Sequence, residues 1–241
     1  MRLDNYLVAA GCVRSRSQAR EYIISGRVTV NGVPARKPGE EVREGAEISV
    51  LSPCRFVSRA GEKLERALEV FGVSPEGLSV LDIGASTGGF TDCLLKHGAA
   101  RVCALDVGRG QIDPSLAADG RVTVIEGFNA RYLNLSDLPF EPQLVTADLS
   151  FISQSLVYPA VSRVLEKGFF ISLVKPQFEA GREHIGKGGI LRDPDGSVAA
   201  AVITRLSLSA AENGLSLIRI ADSPIPGGDG NREYLALFER V

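Results

Sequence analysis

From about residue 60 to the end of the chain, short apolar segments alternate with segments of helical periodicity, and this alternation constrains the fold more than any other feature. Apolar strands are predicted over residues 78–83, 101–106, 122–125, 144–148, 169–174, 215–220 and 234–238. Helices are predicted between them over residues 89–96, 153–166 and 195–213. Strands that alternate with helices predict an α/β domain with a Rossmann-like, doubly wound and mostly parallel sheet.

The first part of the chain follows a different pattern, which begins with two short helices. The first carries Leu3 and Leu7 on one face and is predicted to end at Gly11. The second follows residues 15–18, where Ser and Gln stand at the spacing of a capping box, and is predicted to end at Gly26.

A small sheet is predicted to complete this N-terminal unit. The strand at Val28–Val30 enters a turn at Asn31 and Gly32, a strong hairpin signal, and a last strand covers residues 47–50. The sequence therefore predicts a small α+β domain over residues 1–52, a linker over 53–60 and the large α/β domain over 61–241.

Charge is divided unequally between these parts. Residues 1–60 hold 10 Lys and Arg against 6 Asp and Glu, whereas the rest of the chain holds 17 against 23. The net charge of −2 thus combines a +4 end with a −6 remainder. An isolated pair such as Arg16 and Arg20 is typical of a solvated helix face. A dense basic group in so small a unit favours a phosphate-binding surface.

Several classes of protein are excluded by composition. The 4 cysteines are scattered, without a CxxC motif, and only 2 histidines are present, so no metal site is expected. No uncharged segment reaches the ~18 apolar residues of a membrane span, and the N-terminus lacks the features of a signal peptide. We therefore expect a cytoplasmic protein with no membrane partner.

A glycine-rich loop follows the first strand of the large domain. Its pattern, G-x-x-x-G-G from Gly84, matches neither a P-loop nor the dinucleotide motif. The alternative to a ligand-binding loop is a plain tight turn between a strand and a helix. Asp82 would disfavour a pyrophosphate but suits a cationic sulfonium such as S-adenosylmethionine. Asp106 ends the second strand, where an acid can bind ribose hydroxyls. These residues predict an S-adenosylmethionine site.

Four charged residues stand at strand ends or helix starts: Lys63, Asp148, Lys175 and Glu233. Each of them alone is typical of a solvated surface residue. Lys175 is the exception, because it closes a strand that is apolar except for Ser172, at the edge of the sheet where ligands bind.

The N-terminal unit resembles the S4 RNA-binding domain. The similarity rests on residues 2–4 (RLD), 15–19 (SRSQA) and 26–32 (GRVTVNG), in that order. It implies binding of structured RNA through shape and phosphates.

Nearly the whole chain resembles the TlyA/hemolysin A family, which joins an S4 domain to an FtsJ-like ribose 2′-O-methyltransferase. The similarity rests on residues 81–92 (LDIGASTGGFTD), 147–152 (ADLSFI), 173–183 (LVKPQFEAGRE) and 186–189 (GKGG). It implies S-adenosylmethionine as cofactor, ribosomal RNA in a ribosomal subunit as partner and a cytidine as target.

The resemblance also implies site residues. The family's Lys-Asp-Lys-Glu tetrad falls on Lys63, Asp148, Lys175 and Glu233. The cofactor is expected at Asp82, Gly84, Ala85, Ser86, Gly88, Gly89, Phe90, Asp106, Asn129 and Asp148. RNA contacts are expected at Arg2, Arg14, Arg16, Arg20, Arg27, Arg36, Lys37, Arg182 and Lys187.

A mechanism follows from the tetrad. A lysine near other cations and partly removed from water can have a lowered pKa, so we assign the general base to Lys175. Lys63 is expected to stabilise the developing alkoxide, while Asp148 and Glu233 orient the lysines and the hydroxyl. The polar segment 181–189 is expected to be a lid or an RNA-contacting loop.

Three other functions fit these sequence features less well. A non-catalytic assembly factor would not need an intact tetrad, and a pore-forming haemolysin would need a membrane-active segment that the sequence does not show. An NAD-dependent oxidoreductase would carry the dinucleotide motif from which the loop departs.

Overall fold

The computed structural model describes residues 1–13, 16–24, 26–43, 45–50, 55–227 and 230–241, with backbone only for Ser17 and Glu21. The chain divides into two compact units, Met1–Arg59 and Ala60–Val241. The linker assigned to residues 53–60 remains a prediction, and its first two residues lie outside the described ranges. The capping box predicted at residues 15–18 begins outside them as well.

The first unit contains two helices and a three-stranded antiparallel sheet in the order β2-β1-β3. Its elements are α1 (Leu3–Ala9), α2 (Arg16–Ile24), β1 (Val28–Val30), β2 (Val33–Pro34) and β3 (Ile48–Val50). The turn between β1 and β2 has positive φ at both central residues, Asn31 (51°) and Gly32 (78°). This is the conformation that an Asn-Gly hairpin turn requires.

Apolar residues from both helices and the sheet form the core of this unit. Leu3 and Leu7 of α1 and Ile23 of α2 are fully buried, and Val28 packs against them from β1. The 3.6-residue spacing of these apolar positions turns one face of each helix toward the sheet.

The second unit is built on a seven-stranded sheet, flanked by helices, in the order β6-β5-β4-β7-β8-β10-β9. Its strands are β4 (Ser79–Ile83), β5 (Arg101–Asp106), β6 (Val122–Glu126), β7 (Leu144–Ala147), β8 (Gly168–Val174), β9 (Leu215–Asp222) and β10 (Tyr234–Arg240). The pairs from β6 to β8 are parallel, and β10 runs antiparallel to both β8 and β9. The predicted fold class is thereby confirmed.

The helices of this unit are α3 (Ala60–Phe71), α4 (Gly89–Lys96), α5 (Pro114–Ala117), α6 (Tyr158–Val164), α7 (Pro176–Glu179) and α8 (Ser197–Glu212). Buried side chains from the helices and from the central strands share one core, in which Tyr158, Phe170 and Phe238 form an aromatic group.

Two helix predictions need correction. Helix α3 was not predicted, although Leu64, Ala67, Leu68 and Phe71 have helical spacing and are buried. The helix expected over residues 153–166 is instead a 3-10 turn (Gln154–Leu156) followed by α6. Pro159 explains the break, because a proline fits the first turn of a new helix better than the interior of a long one.

This topology fixes where a ligand can bind. β4 has β5 on one side and β7 on the other, and the register pairs Ile83 with both Leu105 and Ala147. The loops that follow these strands therefore leave the same edge, at the point where the strand order reverses. That position is the ligand crevice of an open α/β sheet.

Candidate active site

A cavity of about 530 Å³ opens at the crevice between the loops that follow β4, β5, β6 and β7. Five of the residues predicted to bind cofactor line it: Gly84, Ser86, Asp106, Asn129 and Asp148. Gln111, Phe128 and Phe151 also line it, and none of them was a predicted site residue. These three residues lie on the loops that follow β5, β6 and β7. Their side chains reach the cavity because of the path that these loops take over the edge of the sheet.

The other predicted cofactor residues lie behind the cavity wall rather than on it. They are Asp82, Ala85, Gly88, Gly89 and Phe90, all of which are buried. A Cβ at Gly88 would collide with Leu116 and with Ile112, so this glycine serves the packing of the loop. In the structure these residues support the loop from behind the cavity, and their direct contact with a cofactor stays a prediction.

Asp82 has a different environment from the one that we expected. Its carboxylate is fully buried and accepts hydrogen bonds from Thr91 Oγ1 (2.7 Å) and Thr146 Oγ1 (3.0 Å). Burial raises the pKa of this carboxyl to about 7, although the two threonine hydroxyls act in the opposite direction. Asp82 thus ties the glycine loop, through α4, to the neighbouring strand β7, and it is not among the residues that line the cavity.

Replacing Asp82 with asparagine is expected to flatten the pH dependence of stability between about pH 4 and 7. Because the folded-state pKa is raised from 3.8 to about 7, the native state retains a proton that the unfolded chain has lost in this window. The wild-type carboxyl therefore lowers stability as the pH rises, by at most about 1.4 kcal/mol per pH unit. Urea unfolding across this range checks the prediction, and parallel profiles for wild type and Asp82→Asn would contradict it.

Asp106 is held in place by backbone donors on two loops. Its Oδ2 accepts from Ser86 N–H (2.8 Å) and its Oδ1 accepts from Gly108 N–H (2.6 Å). Ser86 has a φ of 49°, an uncommon conformation for a residue with a side chain, and this conformation aims its N–H at the carboxylate. Each oxygen retains a lone pair for a ligand hydroxyl.

Gly84 permits close contact between the loops after β4 and β7. Its φ is 79°, and a Cβ at this position would lie 2.6 Å from the carbonyl oxygen of Asp148. Only glycine tolerates both the conformation and the approach. Gly84 therefore brings the loop backbone to the residue that carries the predicted catalytic carboxylate.

The four residues of the predicted tetrad form two ion pairs. Lys175 Nζ lies 2.6 Å from Asp148 Oδ1, and it also donates to Ser150 Oγ at 2.9 Å. Lys63 Nζ donates to Glu233 Oε2 at 2.6 Å across 170 positions of sequence, and both side chains are buried.

The register of the sheet brings the two pairs to the same edge. Tyr234, the first residue of β10, pairs with Val174, the last residue of β8. Glu233 immediately precedes Tyr234 and Lys175 immediately follows Val174, so the two residues lie at the same edge of the sheet. Ser172 of β8 pairs with Ala147, which precedes Asp148. Lys63 reaches this edge from α3, the helix that the sequence analysis missed.

A buried polar network connects the loops that carry Asp148 and Lys175. Glu179, in the helix after Lys175, accepts from Gln154 N–H (2.7 Å) and Ser153 Oγ (2.7 Å) in the turn after Asp148. The Gln154 amide in turn donates to Leu173 O at 2.5 Å. The two loops are therefore held together below their charged residues, and no sequence motif indicated this.

Phe151 is the most unusual residue at the cavity rim. It has a φ of 66°, which costs a bulky residue about 1–3 kcal/mol, and its side chain remains 86% exposed. Its ring lies 4.9 Å from that of Phe178, between centroids. No local sequence signal identifies Phe151, because its exposure follows from the path of the loop after β7.

The predicted RNA-binding residues of the first unit are placed on its surface. Arg2, Arg16 and Arg20 line a cleft of about 390 Å³ together with Asp4. Arg36 and Lys37 are exposed and Arg27 is half-buried, whereas Arg14 lies outside the described residues.

Arg182 and Lys187 are exposed on the segment 181–189 of the second unit. This segment contains two 3-10 turns, and the side chain of Asn231 fixes its far end by bonding Gly189 O (3.0 Å) and Leu191 N–H (2.8 Å). Its role as a lid or an RNA-contacting loop stays a prediction.

Within the described ranges, no cluster of three or more metal-ligating side chains is found. The same part of the chain holds no helix long and apolar enough to cross a membrane.

Known proteins are similar to both units. Residues 56–240 match the FtsJ-like methyltransferase family and residues 1–48 match the S4 domain. Hemolysin A of Brachyspira hyodysenteriae is 44% identical, over 99% of this chain and 99% of its own. The 16S/23S rRNA (cytidine-2'-O)-methyltransferase TlyA of Mycobacterium tuberculosis is 43% identical, over 97% of this chain and 87% of its own.

A solved structure, "Putative hemolysin from Streptococcus thermophilus", is 41% identical, with a TM-score of 0.80 over 100% of this chain and 88% of that one. The S-adenosylmethionine dependent methyltransferase from Mesorhizobium loti is 17% identical, with a TM-score of 0.52 over 73% of this chain and 96% of that one, and shows the fold alone.

Proposed function

The chain belongs to the family of FtsJ-like methyltransferases that carry an N-terminal S4 domain, and on this premise we propose that it methylates a ribose 2′-hydroxyl of ribosomal RNA. The target nucleoside is a cytidine, as the name of the TlyA relative states for that protein. The observation that carries the proposal is the pairing of Lys175 with Asp148 and of Lys63 with Glu233 at one edge of the sheet, beside the cavity.

The cavity fits S-adenosylmethionine. It lies at the switch point of the sheet, offers the Asp106 carboxylate for ribose hydroxyls, and has a volume within the ~300–1,000 Å³ of small-molecule sites. We assign Gly84, Ser86, Asp106, Asn129 and Asp148 to its binding. When bound, this cofactor supplies an electrophilic methyl group on a sulfonium sulfur.

Lys175 takes the proton that the ribose 2′-hydroxyl loses. Its Nζ donates to Ser150 Oγ and lies 2.6 Å from Asp148 Oδ1, so these two side chains fix the position of the amine that would accept the hydroxyl proton. Asp148 therefore orients the base, and it stabilises the ammonium that forms after the transfer.

Lys63 acts by its charge at the same edge. Its partner Glu233 is buried, so the ammonium is held at a fixed place by a strong, charge-assisted hydrogen bond. A fixed positive charge near the developing alkoxide lowers the barrier, because no reorganisation is needed during the reaction. Holding the hydroxyl in line with the methyl group adds to this effect.

Phe151 provides a surface for the target base. Sequence-specific recognition of RNA commonly uses unstacked bases that are placed against aromatic side chains. The exposed ring of Phe151, supported by Phe178, is available at the rim of the cavity. The strain in its backbone indicates that its position serves function rather than packing.

In vitro methylation tests the proposed function. Purified 16S and 23S ribosomal RNA, and purified ribosomal subunits, are incubated with the protein and S-adenosylmethionine labelled in its methyl group. We expect label in the RNA of at least one substrate, at a nucleotide that has become resistant to alkaline cleavage on its 3′ side. Label confined to a base, or no incorporation into any of these substrates, would overturn the proposal.

The double substitution Arg16→Gln/Arg20→Gln is expected to weaken binding of ribosomal RNA and to reduce the salt dependence of that binding. Each lost phosphate contact lowers the slope of log K against log salt by about 0.7–0.9. Affinity for S-adenosylmethionine should not change, because both arginines belong to the N-terminal unit. Filter binding across a salt series, with Lys167→Gln of the other unit as control, checks this. Equal slopes for the double variant and the wild type would contradict it.

A further inference from the structure

A carboxylate lies within the basic cleft of the N-terminal unit. Asp4 is the second residue of α1, and its side chain is only 5% exposed. It forms ion pairs with Arg2 (2.8 Å) and Arg16 (3.1 Å), two of the arginines that line the cleft. A negative charge at this place opposes the simple view that the cleft attracts RNA by positive charge alone.

The oxygens of this carboxylate are fully used within the unit. Oδ1 accepts from Arg2 Nε (3.0 Å) and from the backbone N–H of Asn5 (2.9 Å). Oδ2 accepts from Arg2 Nη2 (2.8 Å) and Arg16 Nη2 (3.1 Å). The hydrogen bond from Arg2, together with that from Arg16, holds the pKa of the Asp4 carboxyl well below its usual range. Asp4 is thus a charged internal acceptor, not a group that awaits a ligand.

The two arginines, in contrast, keep much of their donor capacity. Arg2 is half exposed and Arg16 is 62% exposed, and each uses only part of its five N–H donors on Asp4. The Arg2 guanidinium also lies flat beside Gly39, where a Cβ would be 3.4 Å away. Backbone bonds from Leu3 to Glu40 O (2.8 Å) and from Asp4 to Pro38 O (3.0 Å) fix this wall of the cleft.

We propose that Asp4 is a positioning residue for RNA binding, which holds the guanidiniums of Arg2 and Arg16 side by side to receive a phosphate of folded RNA. This inference rests on the proposed RNA-binding function of the unit. Long side chains lose rotamer freedom when they bind, and an arginine that is already ordered loses less on contact with phosphate. The bidentate geometry of guanidinium and phosphate makes this orientation important.

The proposal predicts a change opposite in sign to that expected from charge alone. Asp4→Asn raises the net charge of the unit by one, which on electrostatic grounds would tighten binding of a polyanion. If Asp4 orders the arginines, the same substitution weakens binding, by about tenfold for the loss of one well-oriented charged contact. Glu40→Gln is the matched control, because it changes an exposed carboxylate of the same unit by the same charge.

The experiment measures filter binding of labelled 16S and 23S ribosomal RNA by the full-length protein, at several salt concentrations. It compares wild type, Asp4→Asn, Glu40→Gln, the pair Arg2→Gln/Arg16→Gln, and that pair combined with Asp4→Asn. We expect Asp4→Asn to weaken binding, Glu40→Gln to leave it unchanged or slightly tighter, and Asp4→Asn to have little further effect in the background without the two arginines.

The other outcomes separate the possible failures. Unchanged or tighter binding by Asp4→Asn, while the arginine pair still weakens it, overturns the inference and leaves the proposed function standing. An equal loss with and without the arginines indicates damage to the unit and also overturns it. If the arginine pair itself has no effect, the proposed RNA surface fails, and the inference fails with it.

Discussion

Replacing Lys175 with alanine is expected to lower methyl transfer to ribosomal RNA by about 10²–10⁴-fold, the usual contribution of a general base. In the proposed mechanism, Nζ of Lys175, which contacts Asp148 and Ser150, accepts the proton that the 2′-hydroxyl must lose. The measurement is the single-turnover rate with labelled S-adenosylmethionine, which isolates the chemical step from product release.

Two comparisons make this result specific. Affinity for S-adenosylmethionine, measured by calorimetry, should stay close to that of the wild type, because Lys175 does not line the cavity. Lys167→Ala is the matched control, since this exposed lysine immediately precedes β8, whereas Lys175 immediately follows it. A Lys175→Ala protein that transfers methyl groups nearly as fast as the wild type would refute the assignment of the base.

Replacing Lys63 with methionine is expected to lower the free energy of unfolding by about 3–5 kcal/mol, in addition to lowering activity. The side chains of Lys63 and Glu233 are only 10% and 3% exposed, so removal of the lysine leaves an uncompensated charge in the interior. Removing both charges, as Lys63→Met/Glu233→Met, should be far less destabilising than the sum of the single changes. Urea unfolding of the three variants measures this coupling.

The helix that carries Lys63 also supplies the control. Arg66 pairs with Glu69 on the same helix, but the two side chains are 51% and 60% exposed. Exposed pairs of this kind contribute only about 0–1 kcal/mol. If Lys63→Met destabilised the protein no more than Arg66→Met does, the pair with Glu233 would not be the buried interaction that the structure shows.

The site residues at strand ends were the ones that could best be predicted from the sequence. Asp106, Asp148 and Lys175 each follow or end an apolar segment, and the polar residue that ends a buried strand must lie at the sheet edge. The glycine loop was predictable for a similar reason, since Gly84 stands at the point where the chain turns from a strand toward a helix.

The direction in which a side chain points was not predictable in the same way. Asp82 has the sequence position expected of a cofactor ligand, yet it is in a fully buried strand and is bonded to two threonines. Phe151 belongs to an apolar residue type but is exposed. In both cases the contacts come from residues far away in sequence, so local pattern does not contain the information.

The sequence by itself determined the two-part organisation, the alternation that makes a doubly wound sheet, and which charged residues stand at strand ends, because these depend on local periodicity and spacing. Only the tertiary structure decided how the charges pair. β10 enters the sheet antiparallel beside β8, which brings Glu233, before the start of β10, next to Lys175, after the end of β8. Helix α3 packs against β10 and brings Lys63 to Glu233 across 170 positions of sequence. Such a pairing depends on topology and register, and a short stretch of residues specifies neither.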